Sequence, residues 1–167
     1  MTKVSIVMGS KSDLEVMKNC MDVLKEFEIG YEVRVLSAHR TPVESHEYAK
    51  SLRERGVQVV IAAAGGAAHL AGVIAGTTTL PVIGVPIETK ALGGMDSLLS
   101  IVQMPKGIPV ATVAIGKAGA ANAAILAAQI LGVSDVAMAK RLKEYKKSMA
   151  EKVLEDTNVE TYSGSNE

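Results

Sequence analysis

The sequence predicts a three-layer α/β/α sandwich built on a parallel sheet. Two observations carry this: short apolar runs alternate with helix-patterned segments along the chain, and several of those runs are apolar throughout. A strand buried on both faces needs no polar side, and a parallel pair needs a crossover connection, which is right-handed as a rule.

Val4–Met8 is a β-branched run that turns at Gly9-Ser10-Lys11-Ser12-Asp13 into a helix whose apolar positions Leu14, Met17, Met21 and Leu24 keep helical spacing. Tyr31–Leu36 alternates as a second strand. The second helix should run from Pro42 to about Arg55, with Thr41 as N-cap and Pro42 at the first helical position. Glu44 completes a Thr-x-x-Glu capping box, and Gly56 follows the last turn. Val57–Ala64 reads as the third strand, and the loop Gly65-Gly66-Ala67-Ala68-His69 leads into a short helix ending near Gly76. Leu80–Val85 is the fourth strand. An irregular piece with Lys90, Gly93 and Gly94 precedes a helix over Asp96–Gln103, and Val110–Ile115 is the fifth strand. The alanine-dominated segment Lys117–Leu131 lets backbones approach closely, in the core or at a subunit contact. The last helix, Asp135–Glu155, sets Met138, Leu142, Tyr145 and Met149 on one face that needs a partner. The chain should therefore form a single domain over 1–155, with a frayed polar tail over 156–167. The expected topology is flavodoxin-like, strand order 2-1-3-4-5.

Composition narrows the function. At 167 residues and 48% hydrophobic content the chain fits one well-buried domain. Lys+Arg and Asp+Glu are 18 each, which leaves no basic excess for a nucleic-acid backbone or a membrane surface. Aromatic content of 3% leaves little material for base-stacking platforms. The apolar stretch Val57–Gly76 is broken by Gln58, His69 and four glycines, so it reads as strand, loop and helix rather than a membrane span. The N-terminal apolar run is too short for a secretory leader, and a lone cysteine, Cys20, fits a buried helix face in a reducing cytoplasm. Small molecules are the expected partners.

In an open parallel sheet ligands bind beyond the carboxyl ends of the strands, where the strand order reverses. That rule gathers Ser10, Asp13, Ser37, His39, Arg40, Gly65, Gly66 and His69 from separate loops. Arg40, serine hydroxyls and helix-start N–H groups can hold a phosphate, and Asp13 can accept hydrogen bonds from ribose hydroxyls. A glycine pair lets backbone approach a planar ligand. Imidazole titrates near neutrality, so His39 is the candidate to move a proton in both directions. Each feature alone has a plainer reading: Ser10 or Ser12 capping a helix, Asp13 complementing its dipole, the glycines permitting a turn. Metal-ligand spacing, a G-x-S-x-G elbow and phosphate-loop glycine motifs do not occur, so metal hydrolysis, serine acyl transfer and NTP or dinucleotide binding are disfavoured.

Five blocks in order carry a family resemblance: Val7-Met8-Gly9-Ser10-Lys11-Ser12-Asp13, Ser37-Ala38-His39-Arg40-Thr41-Pro42, Gly65-Gly66-Ala67-Ala68-His69-Leu70, Asp96-Ser97-Leu98 with Ile101-Val102-Gln103-Met104-Pro105, and Ala114-Ile115-Gly116-Lys117-Ala118-Gly119-Ala120-Ala121-Asn122. They resemble the signature of the 5-(carboxyamino)imidazole ribonucleotide mutases of purine biosynthesis, long called the catalytic subunit of phosphoribosylaminoimidazole carboxylase. The resemblance implies an isomerase that moves a carboxylate from the exocyclic nitrogen to ring carbon 4 through a trapped carbon dioxide, in a small, dry, closed site. It implies that Ser10, Asp13 and Arg40 bind the ribonucleotide, that Ser37 assists with phosphate, and that His39 is the acid/base. Gly65, Gly66, Ala67 and His69 would wall the cavity. No cofactor or metal is implied, and the expected assembly is a homo-octamer with the C-terminal helix on a neighbouring subunit. Ala63 and Ala71 depart from the family's usual Gly and Pro beside the cavity loop. The alternatives are an aminoimidazole ribonucleotide carboxylase using free carbon dioxide, and a noncatalytic nucleotide-binding module.

Overall fold

The computed structural model describes residues 2–155 together with Thr157 and Glu160; the tail read over 156–167 otherwise lies outside the described residues. The elements in order are β1 (Val4–Met8), a 3₁₀ turn (Lys11–Asp13), α1 (Leu14–Glu26), β2 (Tyr31–Val35), α2 (Pro42–Ser51) and β3 (Val59–Gly65). Then follow α3 (Leu70–Ala75), β4 (Val82–Ile87), α4 (Met95–Val102), β5 (Ala111–Thr112), α5 (Gly116–Gly132) and α6 (Val136–Glu155). The strands form one parallel sheet in the order β2-β1-β3-β4-β5, the flavodoxin-like arrangement expected.

Period-two alternation sorts the sheet residues onto two faces. Val4, Ile6, Met8, Ile61 and Ile83 join Met17, Cys20 and Leu24 of α1 and the alanines of α5 in one cluster. Val7, Val60 and Ala62 face the other way, among Leu52, Leu70, Ile74 and Ile101. On the first face, Ala120, Ala123, Ala124, Ala127 and Ala128 are all 0% exposed, so the alanine-rich segment is a core helix lying close over α1 and the sheet. Burial pushes the Cys20 thiol up to about 12, as expected of an inert core cysteine.

Some boundaries differ from the sequence reading. The capping box at Thr41 does not form: the Thr41 hydroxyl donates to Ser37 O (3.0 Å) and accepts from Ser37 N–H (2.9 Å), closing the preceding loop on itself. α2 ends at Ser51, and Gly56, at φ +83°, completes the exit while Val57 N–H returns to Leu52 O, so β3 starts two residues later than read. β4 runs on through Pro86 to Ile87; β5 flanks it only at Ile83 and Gly84, so a residue without an N–H is tolerated beyond that point. β5 itself is two residues long.

The stripe on α6 is largely covered by its own chain. Met138 is buried, Leu142 and Tyr145 pack on the α1/α5 cluster, and the Tyr145 ring lies 5.2 Å from Phe27 at the end of α1. The alanines keep α5 slim, and Phe27 supplies the bulk that α5 lacks. Only Met149 of the four is exposed.

Candidate active site

Because all strands are parallel, the loops after β1, β2, β3 and β4 open on one edge of the sheet. They line a cleft of ≈ 510 Å³ that includes Ser10, Asp13, Ser37, His39, Arg40, Gly65, Ala67 and His69. Gly66 does not line it: at φ +69° it makes the turn, with its N–H directed to Ser97 Oγ (2.9 Å). Ala63 and Ala71 are fully buried in opposite core clusters, so both departures from the family pattern lie behind the cleft wall.

The β1 loop is organised by Ser10, which caps the 3₁₀ turn. Its Oγ accepts from Ser12 N–H at 3.2 Å and lies 2.8 Å from the Ser12 hydroxyl. Asp13 closes that turn and is 7% exposed. Burial raises its carboxyl above the ordinary value of 3.8, against the lowering pull of hydrogen bonds from Ser12 and the backbone. A buried carboxyl that has given up water is ready to exchange that loss for ligand hydroxyls.

The β2 loop folds back on β1. Arg40 sends one terminal N–H to Gly9 O (2.9 Å), while its backbone N–H and Nε reach Ser37 Oγ (3.2 and 3.4 Å). Ser37 Oγ acts there as acceptor, so its own proton can be donated to an anion. With the adjacent start of α2, these groups form a positively polarised seat for a phosphate.

Across the cleft His39 Nε2 lies 2.7 Å from His69 Nδ1, the rings 4.7 Å apart and nearly edge-on at 75°. One of the two nitrogens must carry the proton and the other a lone pair, so two imidazoles from different loops share one hydrogen bond. That bond fixes the ring of His39, and a proton gained by either ring has an acceptor beside it. His46, the third histidine, bonds Thr77 Oγ1 away from the cleft.

Ser12 and Leu70, which stand in the family blocks without a site role assigned from sequence, also line the cleft, and sequence reasoning missed Ala64, Ile87 and Glu88 there. Glu88 follows β4, so the rule that gathers loops at the carboxyl edge reaches it, but no motif drew attention to it. Among the described residues no group of three or more His, Cys, Asp or Glu could hold a metal ion.

Comparison with known proteins agrees with this fold. The AIR carboxylase family model matches residues 3–152. The chain is 59% identical over 155 residues to the N5-carboxyaminoimidazole ribonucleotide mutase of Bacillus subtilis, covering 93% of this chain and 96% of that one. It is 60% identical over 149 residues to the protein of the same name from Pyrococcus abyssi, covering 89% and 84%. The crystal structure of Treponema denticola PurE superimposes with a TM-score of 0.83 at 31% identity, covering 97% of this chain and 100% of that one. The chain therefore belongs to the AIR carboxylase family.

Proposed function

We propose that this chain is an N5-carboxyaminoimidazole ribonucleotide mutase of purine biosynthesis, with His39 as the proton carrier. The observation that carries the assignment of roles is the meeting of His39, Arg40, Asp13 and His69 in one cleft, each from a different loop or loop position. Arg40, Ser37 and Ser10 hold the phosphate, and Asp13 takes the ribose hydroxyls. The imidazole of the substrate then lies toward Ala67, Gly65 and the histidine pair.

The reaction balances through one proton site. A carboxylate on the exocyclic nitrogen leaves as carbon dioxide when that nitrogen takes a proton from His39, giving a free amine. Ring carbon 4 then attacks the carbon dioxide, and the proton displaced from that carbon returns to His39. No net proton is taken up, and no metal or cofactor is needed for either half. His69 holds the ring of His39 in reach of both atoms, which lie side by side on one edge of a small planar ligand.

Carbon dioxide must stay in place between the halves. In the single chain the cleft is open, with His39, Arg40, Ala67 and Glu88 exposed to solvent, so the dry, closed site expected from sequence is not complete in one subunit. Exposed Leu92 before α4, Met95, Leu99 and Val102 on it, and Met149, Val153 and Leu154 at the end of α6 support closure by neighbouring copies in a homo-octamer. A cytoplasmic enzyme acting on a phosphorylated intermediate is consistent with this reading. Light scattering on the purified chain should give the octamer mass, and a monomer that turns over would contradict the closure by neighbours.

The direct test supplies the N-carboxylated ribonucleotide without added bicarbonate and follows the C-carboxylated product. Conversion in bicarbonate-free buffer is expected. A chain that instead forms this product only from the uncarboxylated ribonucleotide and dissolved carbon dioxide would be a carboxylase, not a mutase.

A further inference from the structure

The block Asp96-Ser97-Leu98 has no part in the chemistry above, yet its serine reaches the site from behind. Ser97 lies on α4 and is 0% exposed. Its hydroxyl donates to Ile87 O at 2.7 Å, at the end of β4, and accepts from Gly66 N–H at 2.9 Å. One buried hydroxyl therefore bridges the ends of two strands whose loops form the cleft wall. The Gly66 carbonyl is held as well, by Ala68 N–H at 2.8 Å, with the Ser100 hydroxyl 3.3 Å away. The peptide of the only left-handed residue in the cavity loop is thus pinned on both sides, and the residues that follow, Ala67 and His69, are presented to the cleft from it. On the same helix Asp96 accepts from the Thr89 hydroxyl at 2.7 Å, which ties the loop carrying Glu88 to α4.

We infer that Ser97 is a positioning residue for the carboxylate transfer: it sets the turn at Gly66 and thereby the distance from His69 to His39 and the tightness of the wall around the migrating carbon dioxide. This rests on the mutase reading. The phosphate and ribose seat, on the β1 and β2 loops, makes no hydrogen bond to α4. Removing the Ser97 hydroxyl should accordingly alter transfer without altering substrate affinity. It leaves a half-buried Gly66 N–H without its partner, which the loop relieves by turning toward solvent.

The test measures kcat, KM and product partition for the wild-type protein, Ser97→Ala and Ser97→Thr, with the N-carboxylated ribonucleotide as probe. Partition is the ratio of C-carboxylated product to uncarboxylated ribonucleotide released. Ser97→Ala is expected to lose roughly 10- to 100-fold in kcat with KM within about threefold. Its partition should shift toward the uncarboxylated product, and Ser97→Thr, which keeps the hydroxyl, should recover most of the coupling. Should Ser97→Ala not fold, Ser97→Cys fills the same space with a weak hydrogen-bonding group and should leak in the same way. Amide exchange at Gly66, read on the same samples, should accelerate in the Ala and Cys variants whatever the turnover. A folded Ala or Cys variant with wild-type kcat and partition, or with Gly66 exchange unchanged, overturns the inference. Absence of conversion by the wild type would instead count against the mutase reading, with Gly66 exchange still deciding the role of Ser97.

Discussion

The body of the sheet and its carboxyl edge are built on opposite terms. In the body of the sheet, Ile6, Ile61 and Ile83 are 0% exposed and packed against alanines that leave no slack. A few residues further along, at the carboxyl edge, His39, Arg40 and His69 are exposed and held by single hydrogen bonds between loops. The comparison teaches where stability and activity are stored: close packing fixes the strands, and the loops at their ends are set by a few hydrogen bonds such as Arg40 to Gly9 O and Gly66 N–H to Ser97. Damage to the body should cost fold, and damage to the edge should cost chemistry at nearly unchanged fold.

The largest effect is expected from Gly119→Ala. A Cβ there would lie 1.6 Å from Ala114 O, so the start of α5 cannot keep its place against the backbone that leads into it from β5. A loss on the order of 3 kcal/mol or more is expected, seen as a collapsed thermal midpoint or insoluble protein. A variant melting like the wild type would show that the body has slack. At the edge, Arg40→Ala should raise KM roughly 10- to 100-fold while the melting temperature hardly moves, because a charged fork to phosphate is lost and no core contact is. An unchanged KM would place the phosphate elsewhere.

Asp13 sits on the boundary between the two regimes and sharpens the contrast. Its folded carboxyl is raised by burial, so the folded chain holds that proton more tightly than the unfolded chain. The stabilisation is complete below the ordinary value of 3.8 and is lost as pH rises through the higher folded value. Asp13→Asn, which carries no charge to bury, should therefore melt above the wild type at neutral pH, with the gap closing below pH 3.8, while substrate affinity falls. A gap of the same size at both pH values would contradict the assignment of that shift to burial.

The same contrast explains what could be read from sequence. The strands and helices were legible because burial on two faces leaves unbroken apolar runs in Val4–Met8 and Val59–Gly65 and helical spacing marks α1, and the strand order followed from the fold class these imply. The convergence of Ser10, Asp13, Ser37, His39, Arg40 and His69 followed from topology alone. What was not legible depended on single hydrogen bonds. Thr41 prefers Ser37 over a capping box, Gly66 faces Ser97 rather than the cleft, and the stripe of α6 finds Phe27 and α5 within its own chain. Sequence spacing carries no record of which of two partners a hydroxyl or an aromatic ring will choose.

The central claim is that one imidazole, steadied by another, carries the proton out and back. It is tested most directly by measuring kcat and ribonucleotide binding for His39→Asn in bicarbonate-free buffer. The substitution keeps a polar side chain at the cleft and removes the imidazole ring. Ribonucleotide affinity within a few-fold of wild type is expected, together with a loss in kcat of at least ~10²–10⁴, the range for a positioned acid/base group. Turnover at the wild-type rate by His39→Asn would contradict the account.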